Sequence, residues 1–492
     1  MTVKRRKLHT DPTAPVHDRH RRTVGEVAVR NPAVGRDRRR TSIDPEALAV
    51  DNPGVEVPVH ASPSLALLGG SPAFAADLHV GKPNIGDRKR LMARFEGILE
   101  RRWFTNDGVC VKELERKIAD LLGVRYCIAM CNATVALEIV TRAVGMRGEV
   151  IVPSFTFVAT AHALEWQDVT PVFCDVDPRT HTIDPSKIER MITPRTTGIV
   201  GVHLWGQGCD VDAIGEIARR HRLRVVYDAA HAFACTHRGR PIGGFGDAEV
   251  FSFHATKFFN AAEGGCVTTN DPAIAKKVAL MRNFGFAGYD NVVHLGTNGK
   301  MDEFSAAVGL TNLESLDEFL AVNRRNYERY ASGLAGCPGL RLYEFDRRER
   351  FNYQYVVLEV NPVRAGITRD ELLAVLHSER VLARRYFFPG CHRMEPYRSY
   401  FPNAGLLLPQ TERLSERVLV LPTGTAVDVR AIDRICGLLR TAIARNAEVR
   451  EALAREVPAD DGRPAKGEPA PPRGRRPSRP AEIARLRTRN GG

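Results

Sequence analysis

The sequence predicts an α/β domain with a largely parallel central sheet, followed by a smaller C-terminal α+β domain. Three observations carry this: short apolar runs alternate with amphipathic stretches of ten or more residues up to about residue 270, helical patterns dominate from about 275 to 335, and 340–450 mixes both kinds. KELERKIADLLG, from Lys112, is apolar at Leu114, Ile118, Leu121 and Leu122, which is helical spacing. YCIAMC (126–131) is expected as a strand and TVALEIVTRAVG as the helix after it. EVIVP (149–153), TPVFCDV (170–176) and GIVGVHL (198–204) follow as strands, then DVDAIGEIARRHR as a helix. RVVYD, ending at Asp228, AEVFSF (248–253) and GGCVTT (264–269) complete the expected sheet, and NYQYVVLEV is expected as a strand of the second domain. In such sheets ligands sit beyond the carboxyl ends of the strands, so residues at those ends come first as candidates.

The 492 residues carry a formal net charge of +13, which by itself suggests a nucleic-acid or membrane partner. The charge is concentrated at the ends. Residues 1–40 hold 12 Lys+Arg against 4 Asp+Glu, and 461–492 hold 9 against 3, leaving 50 basic and 51 acidic residues between them. Neither end has hydrophobic periodicity, so 1–60 and 457–492 are expected to be disordered tails. They flank a large domain (61–330) and a small one (331–456). No helix-turn-helix pattern or aromatic-interleaved basic patch supports nucleic-acid binding. No apolar run approaches the roughly 18 residues of a membrane span. Ten cysteines without a CxxC pair suit reduced thiols in a cytosol.

Four features fall at strand ends. Asn132-Ala133-Thr134 opens a helix, where free N–H groups favour an anion such as phosphate. Asp228 ends a strand of apolar and aromatic residues; it reads either as an N-cap before AAHAF or as the partner of a protonated ring nitrogen. Lys257 lies among Phe251, Phe253, Phe258 and Phe259; it reads either as a solvated charge or as an amine nucleophile toward an aldehyde. Ser252, five residues earlier, is either an ordinary strand serine or a hydroxyl for the same phosphate. His231, Cys235 and His237 are zinc-ligand types at short spacing, but no second ligand pair follows at finger-like distance, so no metal is expected.

In order along the chain, VPSFTFVATAHAL, ITPRTTGIVGVHLWGQGCDVDAI, VVYDAAHAF, SFHATKFFNAAEGGCVTTND and LGTNGKMDEFSAAVGL resemble the DegT family of sugar aminotransferases over about residues 65–450. The resemblance implies the three-layer fold type I of pyridoxal 5'-phosphate (PLP) enzymes. It makes Lys257 the lysine that carries the cofactor as a Schiff base and then shuttles the proton, and Asp228 the partner of the pyridine nitrogen. It places His231 near the ring hydroxyl, Phe157 on the ring face, and Ala133, Thr134 and Ser252 on the phosphate. Asn298 matches an asparagine that reaches the phosphate from the neighbouring subunit, which implies a homodimer with shared sites; Lys300 follows at the place of a family basic residue.

The implied reaction is ping-pong, with L-glutamate as amino donor and a nucleotide-linked keto sugar as acceptor. SFHATKFFNAAEGG, RNFGFAGYDNVVHLGTNGKMDE and YFFPGCHRMEPYR, from Tyr386, are similar to family members that aminate dTDP-4-keto-6-deoxyglucose at C4. A related PLP enzyme acting on a 3-keto sugar or a cyclitol, and a DNA-associated protein using the basic ends, are the alternatives.

Overall fold

The computed structural model describes residues 64–456. The two expected disordered tails, 1–60 and 457–492, lie outside the described residues, apart from which every element below is defined. Helices α1 (Arg88–Arg101) and α2 (Val109–Leu122) lead into strand β1 (Tyr126–Met130) and helix α3 (Ala133–Ala143). Then come β2 (Glu149–Pro153), α4 (Ala159–Glu165), β3 (Thr170–Cys174), β4 (Thr196–Val202), α5 (Val211–His221), β5 (Arg224–Asp228), β6 (Ala248–Ser252) and β7 (Gly265–Thr269). The seven strands and helices α2, α3 and α5 match expected elements to within a few residues, whereas α1 and α4 were not expected from the sequence. The seven strands form one sheet in the order β1-β7-β6-β5-β4-β2-β3. β7 runs antiparallel to both neighbours and the remaining pairings are parallel.

Both faces of the sheet are covered, so its strands are apolar on both sides rather than alternating with polar residues. Ala129, Ile151, Ile199, Tyr227 and Phe251 pack toward α2 and α5 through Leu114, Ile118 and Ile214. The alternate residues Ile128, Val150, Val200, Val226 and Val250 pack toward α3 and α4 through Leu137, Val140 and Leu164. Asp210 caps α5 through Ala213 N–H at 3.2 Å, which starts that helix where the DVDAI segment predicts it.

Helices α6 (Pro272–Met281), α7 (Glu303–Glu314) and α8 (Leu316–Leu334) follow, but 282–302 is not helical. Gly285, Gly288, Gly296 and Gly299 interrupt the helical pattern, and Gly285 has a φ of +81°. The segment folds into a loop closed by Val293 N–H on the Gly285 carbonyl (2.9 Å) and Gly299 N–H on that of Arg282 (2.8 Å). Strands β8 (Leu340–Leu342), β9 (Val356–Val360) and β10 (Val418–Leu421) make an antiparallel sheet. With helices α9 (Arg369–Ser378) and α10 (Val429–Ala444) they enclose a core of Val356, Leu358, Leu372, Leu376, Leu419 and Ile432. Of NYQYVVLEV only Val356–Val360 is strand. The Asn352 amide donates instead to the carbonyls of His231 (2.9 Å) and Phe233 (3.1 Å), which holds Asn352–Tyr355 against the large sheet's loops.

Three buried asparagines join separate parts of the chain. Asn84 donates to the Phe258 carbonyl (2.9 Å) and accepts from Thr425 N–H (3.2 Å) and its hydroxyl (2.7 Å). Asn260 donates to the Asn84 carbonyl (2.9 Å), and Asn312 to that of Asn260 (2.8 Å). Asn84→Ala removes three bonds and leaves buried partners unsatisfied, so a cost of about 3 kcal/mol is expected. Urea unfolding followed by circular dichroism measures it through the midpoint at constant slope. Among the described residues, no helix is long and apolar enough to cross a membrane.

Candidate active site

A cavity of about 720 Å³ opens beyond the carboxyl ends of β2, β5 and β6, closed from the other side by Tyr355, Arg384, Tyr386 and Phe387. Ala133, Thr134, Phe157, Asp228, His231, Ser252 and Lys257 all line it. Seven of the nine residues that the resemblance points to are thus brought together from four segments of the chain. Asn298 is not among them: it is exposed on the 282–302 loop, paired in register with Asn283. Lys300 also lies apart, its ammonium on Asn283 Oδ1 at 2.9 Å and 5.0 Å from the Phe284 ring centre.

The helical start at Asn132 forms as expected. Its side chain accepts from Val135 N–H at 2.9 Å, and the N–H groups of Ala133 and Thr134 have no carbonyl four residues back within the helix. Gly265 lets β7 pass close to this turn. A Cβ there would stand 2.8 Å from Ala133 N and 2.7 Å from the Phe251 carbonyl oxygen. The Ala133 and Thr134 N–H groups are left for an anion, with Ser252 and Thr134 also lining the cavity there.

Asp228 does not cap a helix, since a turn follows it. One carboxylate oxygen accepts from Ala230 N–H (3.1 Å) and the other from the Thr160 hydroxyl (2.8 Å). Burial raises its pKa, and these two bonds and the Lys257 charge only partly oppose that. A buried carboxylate whose ionised form is costly is suited to a cationic partner entering the cavity.

Lys257 is half-buried rather than solvated, at the end of a turn closed by its own N–H on the His254 carbonyl (2.8 Å). The phenylalanines around it are the floor of that turn: Phe233 stacks on Phe259 at 4.5 Å, and Phe253 meets Phe259 edge-on at 4.9 Å. Desolvation brings the amine's pKa down to about 8, against the pull of Asp228 and Tyr386. Its ammonium donates to Tyr355 Oη at 3.2 Å.

His231 is buried between aromatic planes, nearly parallel to Trp205 (5.7 Å) and Phe387 (5.9 Å). Burial holds the imidazole pKa well below its usual range, so the ring is neutral. Nε2 lies 3.2 Å from Tyr355 Oη, while Nδ1 is buried with no partner among the described residues. Phe157 remains 58 % exposed, an unusual state for a phenylalanine unless a flat group covers it.

Tyr355, Arg384, Tyr386, Phe387 and Thr160 also build the site and were not singled out from the sequence. Tyr355 was hidden inside a segment read only as a strand. The 386–398 stretch marks a subgroup, and nothing in the spacing turns Arg384 or Phe387 toward a cavity.

These features fit PLP. An exposed aromatic face, a buried carboxylate seeking a cation, an orphan imidazole nitrogen, an anion cradle and an amine of lowered pKa surround one cavity. Comparison with known proteins agrees. A family profile, DegT/DnrJ/EryC1/StrS aminotransferase, matches residues 86–440. The dTDP-4-amino-4,6-dideoxy-D-glucose transaminase of Shigella dysenteriae is 35% identical over 365 residues, covering 74% of this chain and 98% of that protein. GDP-perosamine synthase of Caulobacter vibrioides is 37% identical over 351 residues, covering 68% and 91%. The crystal structure of DesI, determined in the presence of its TDP-sugar product, superposes with a TM-score of 0.76 at 48% identity, covering 80% of this chain and 99% of that one. The chain belongs to the DegT/DnrJ/EryC1/StrS aminotransferase family and is a PLP-dependent aminotransferase of fold type I.

Proposed function

We propose that the protein transfers the amino group of L-glutamate to C4 of dTDP-4-keto-6-deoxyglucose, in deoxyamino sugar biosynthesis, as a homodimer. The observation that carries this reading is the single cavity that gathers Lys257, Asp228, His231, Phe157 and the Ala133–Thr134 turn. The similarity to a transaminase named for a dTDP-4-amino sugar directs it to C4. When bound, PLP supplies an aldehyde that condenses with amines and a ring that withdraws electrons from the adjacent C–H bond.

The chain's own residues do the rest. Lys257 Nζ would be the amine that holds the cofactor and the group that moves the proton. Asp228 holds a proton on the ring nitrogen. His231 Nδ1 would donate to the ring oxygen, Phe157 would cover the ring, and Ala133, Thr134 and Ser252 would hold the phosphate. Asn298 of the partner subunit completes the phosphate site, which accounts for the distance of this chain's Asn298 from its own cavity. The large domain is 61–330 and the small domain 331–456.

Only the neutral amine attacks an aldehyde, so capture of PLP is expected to slow as pH falls below the Lys257 value of about 8. The capture rate of cofactor-free protein, followed by visible absorbance, should drop roughly tenfold per unit below that point and level off above it. A flat profile from pH 6 to 9 would show that Lys257 is not the reacting amine. For the substrate, the test is a panel of dTDP- and GDP-keto sugars and inosose with glutamate, with NMR of the products. An amine at C4 of the dTDP sugar is expected; amination at C3, or of inosose alone, would overturn the assignment.

A further inference from the structure

The Lys257 amine has one partner in the cavity, and that partner is a neutral phenol. No ion pair joins Lys257 to Asp228 among the described residues; the ammonium is instead 3.2 Å from Tyr355 Oη and 5.7 Å from the Tyr355 ring centre. Tyr355 is itself immobilised. Its side chain is buried, set edge-on to Trp205 at 5.3 Å, and Oη lies 3.2 Å from His231 Nε2. A phenol has one proton and spare lone pairs. With the oxygen accepting from Lys257 N–H, the proton goes to His231 Nε2, and the neutral imidazole carries its own proton on Nδ1. The buried, unpartnered Nδ1–H is then left free to donate, as an oxygen of a bound ring would require.

We propose that Tyr355 is a positioning residue: its hydroxyl is the dock on which the released amine of Lys257 rests, and it fixes the tautomer of His231. The proposal rests on Lys257 being the cofactor-bearing lysine. An amine on a four-carbon stem loses considerable rotamer entropy when held in one place, and a lysine that must return a proton to a nearby carbon gains from being held. The other titratable or charged groups facing this cavity are Asp228 on β5, His254 and Glu263 on the lysine loop, and Arg384 and Tyr386 on the small domain. Of these, Asp228 and Tyr386 act on the Lys257 charge, both favouring it.

The test is Tyr355→Phe, which keeps the ring and removes the dock. The parental protein must first take up PLP with a visible band that Lys257→Ala lacks; failure at that step overturns the functional reading and with it the dock. Given that band, the variant is expected to show its capture midpoint about one pH unit lower, since an acceptor of the charged amine is gone. In the loaded enzyme, kcat should fall on the order of tenfold or more while KM for the keto sugar stays close to parental. If Tyr355→Phe does not fold, His231→Asn tests the same chain from its other end. It frees the phenol proton to point at the amine and should move the midpoint down by a smaller amount. An unchanged or raised midpoint in the folded variant, or parental kcat, overturns the proposal.

Discussion

Lys257→Ala protein is expected to lose at least about 10³-fold in transamination rate, because one substitution removes both the covalent anchor and the group that moves the proton. The loss should not come from unfolding. Lys257 lies at the cavity with its stem half-buried, and the aromatic floor of Phe233, Phe253 and Phe259 packs without it. Thermal unfolding of the cofactor-free variant should therefore remain near parental while the visible band of the loaded protein disappears. Lys257→Arg provides a sharper version. It keeps a cation in the cavity but not an amine that can be deprotonated near pH 8, and it is expected to be as inactive as alanine. Turnover at the parental rate in either variant contradicts the assignment.

Asp228→Asn is expected to separate binding from chemistry. The amide is the same size and can still accept from Ala230 N–H or the Thr160 hydroxyl, so cofactor capture should survive. What it cannot do is hold a proton on a ring nitrogen by carrying the opposite charge. The loss of that preorganised charge is expected to lower the rate by roughly 10²- to 10³-fold. The same substitution removes a carboxylate whose ionised form is disfavoured by burial. A group with a raised pKa in the folded state costs stability above its unfolded value, so the cofactor-free Asn variant should melt no lower than parental protein at neutral pH. Rates of the glutamate half-reaction and melting curves at pH 7, taken together, check both halves.

The sheet was legible because its strands are buried on both faces and bounded by helices of clear periodicity; β1 to β6 begin or end within two residues of the expected positions. The helical reading of 275–335 failed at 282–302, where four glycines and a closed loop override the apolar spacing. The cavity was legible on one side only. Residues at strand ends are exposed by the rule of the fold, which is how Asp228, Ser252 and Lys257 stood out. Tyr355, Arg384 and Phe387 reach the cavity through tertiary folding of the C-terminal part of the chain, and no local pattern records that approach. Tyr355 is the instructive case: its side chain meets His231 because Asn352 ties the preceding residues to His231 and Phe233.

If the cavity moves nitrogen from an amino acid to a nucleotide-linked keto sugar through Lys257, the nitrogen can be followed directly. Full-length protein loaded with PLP, incubated with ¹⁵N-labelled glutamate and dTDP-4-keto-6-deoxyglucose, tests it in one NMR measurement of the sugar product. The expected product carries ¹⁵N bonded to C4 of the sugar, with none in the Lys257→Ala reaction. Sugar recovered without ¹⁵N from protein that carries its full complement of PLP would contradict it.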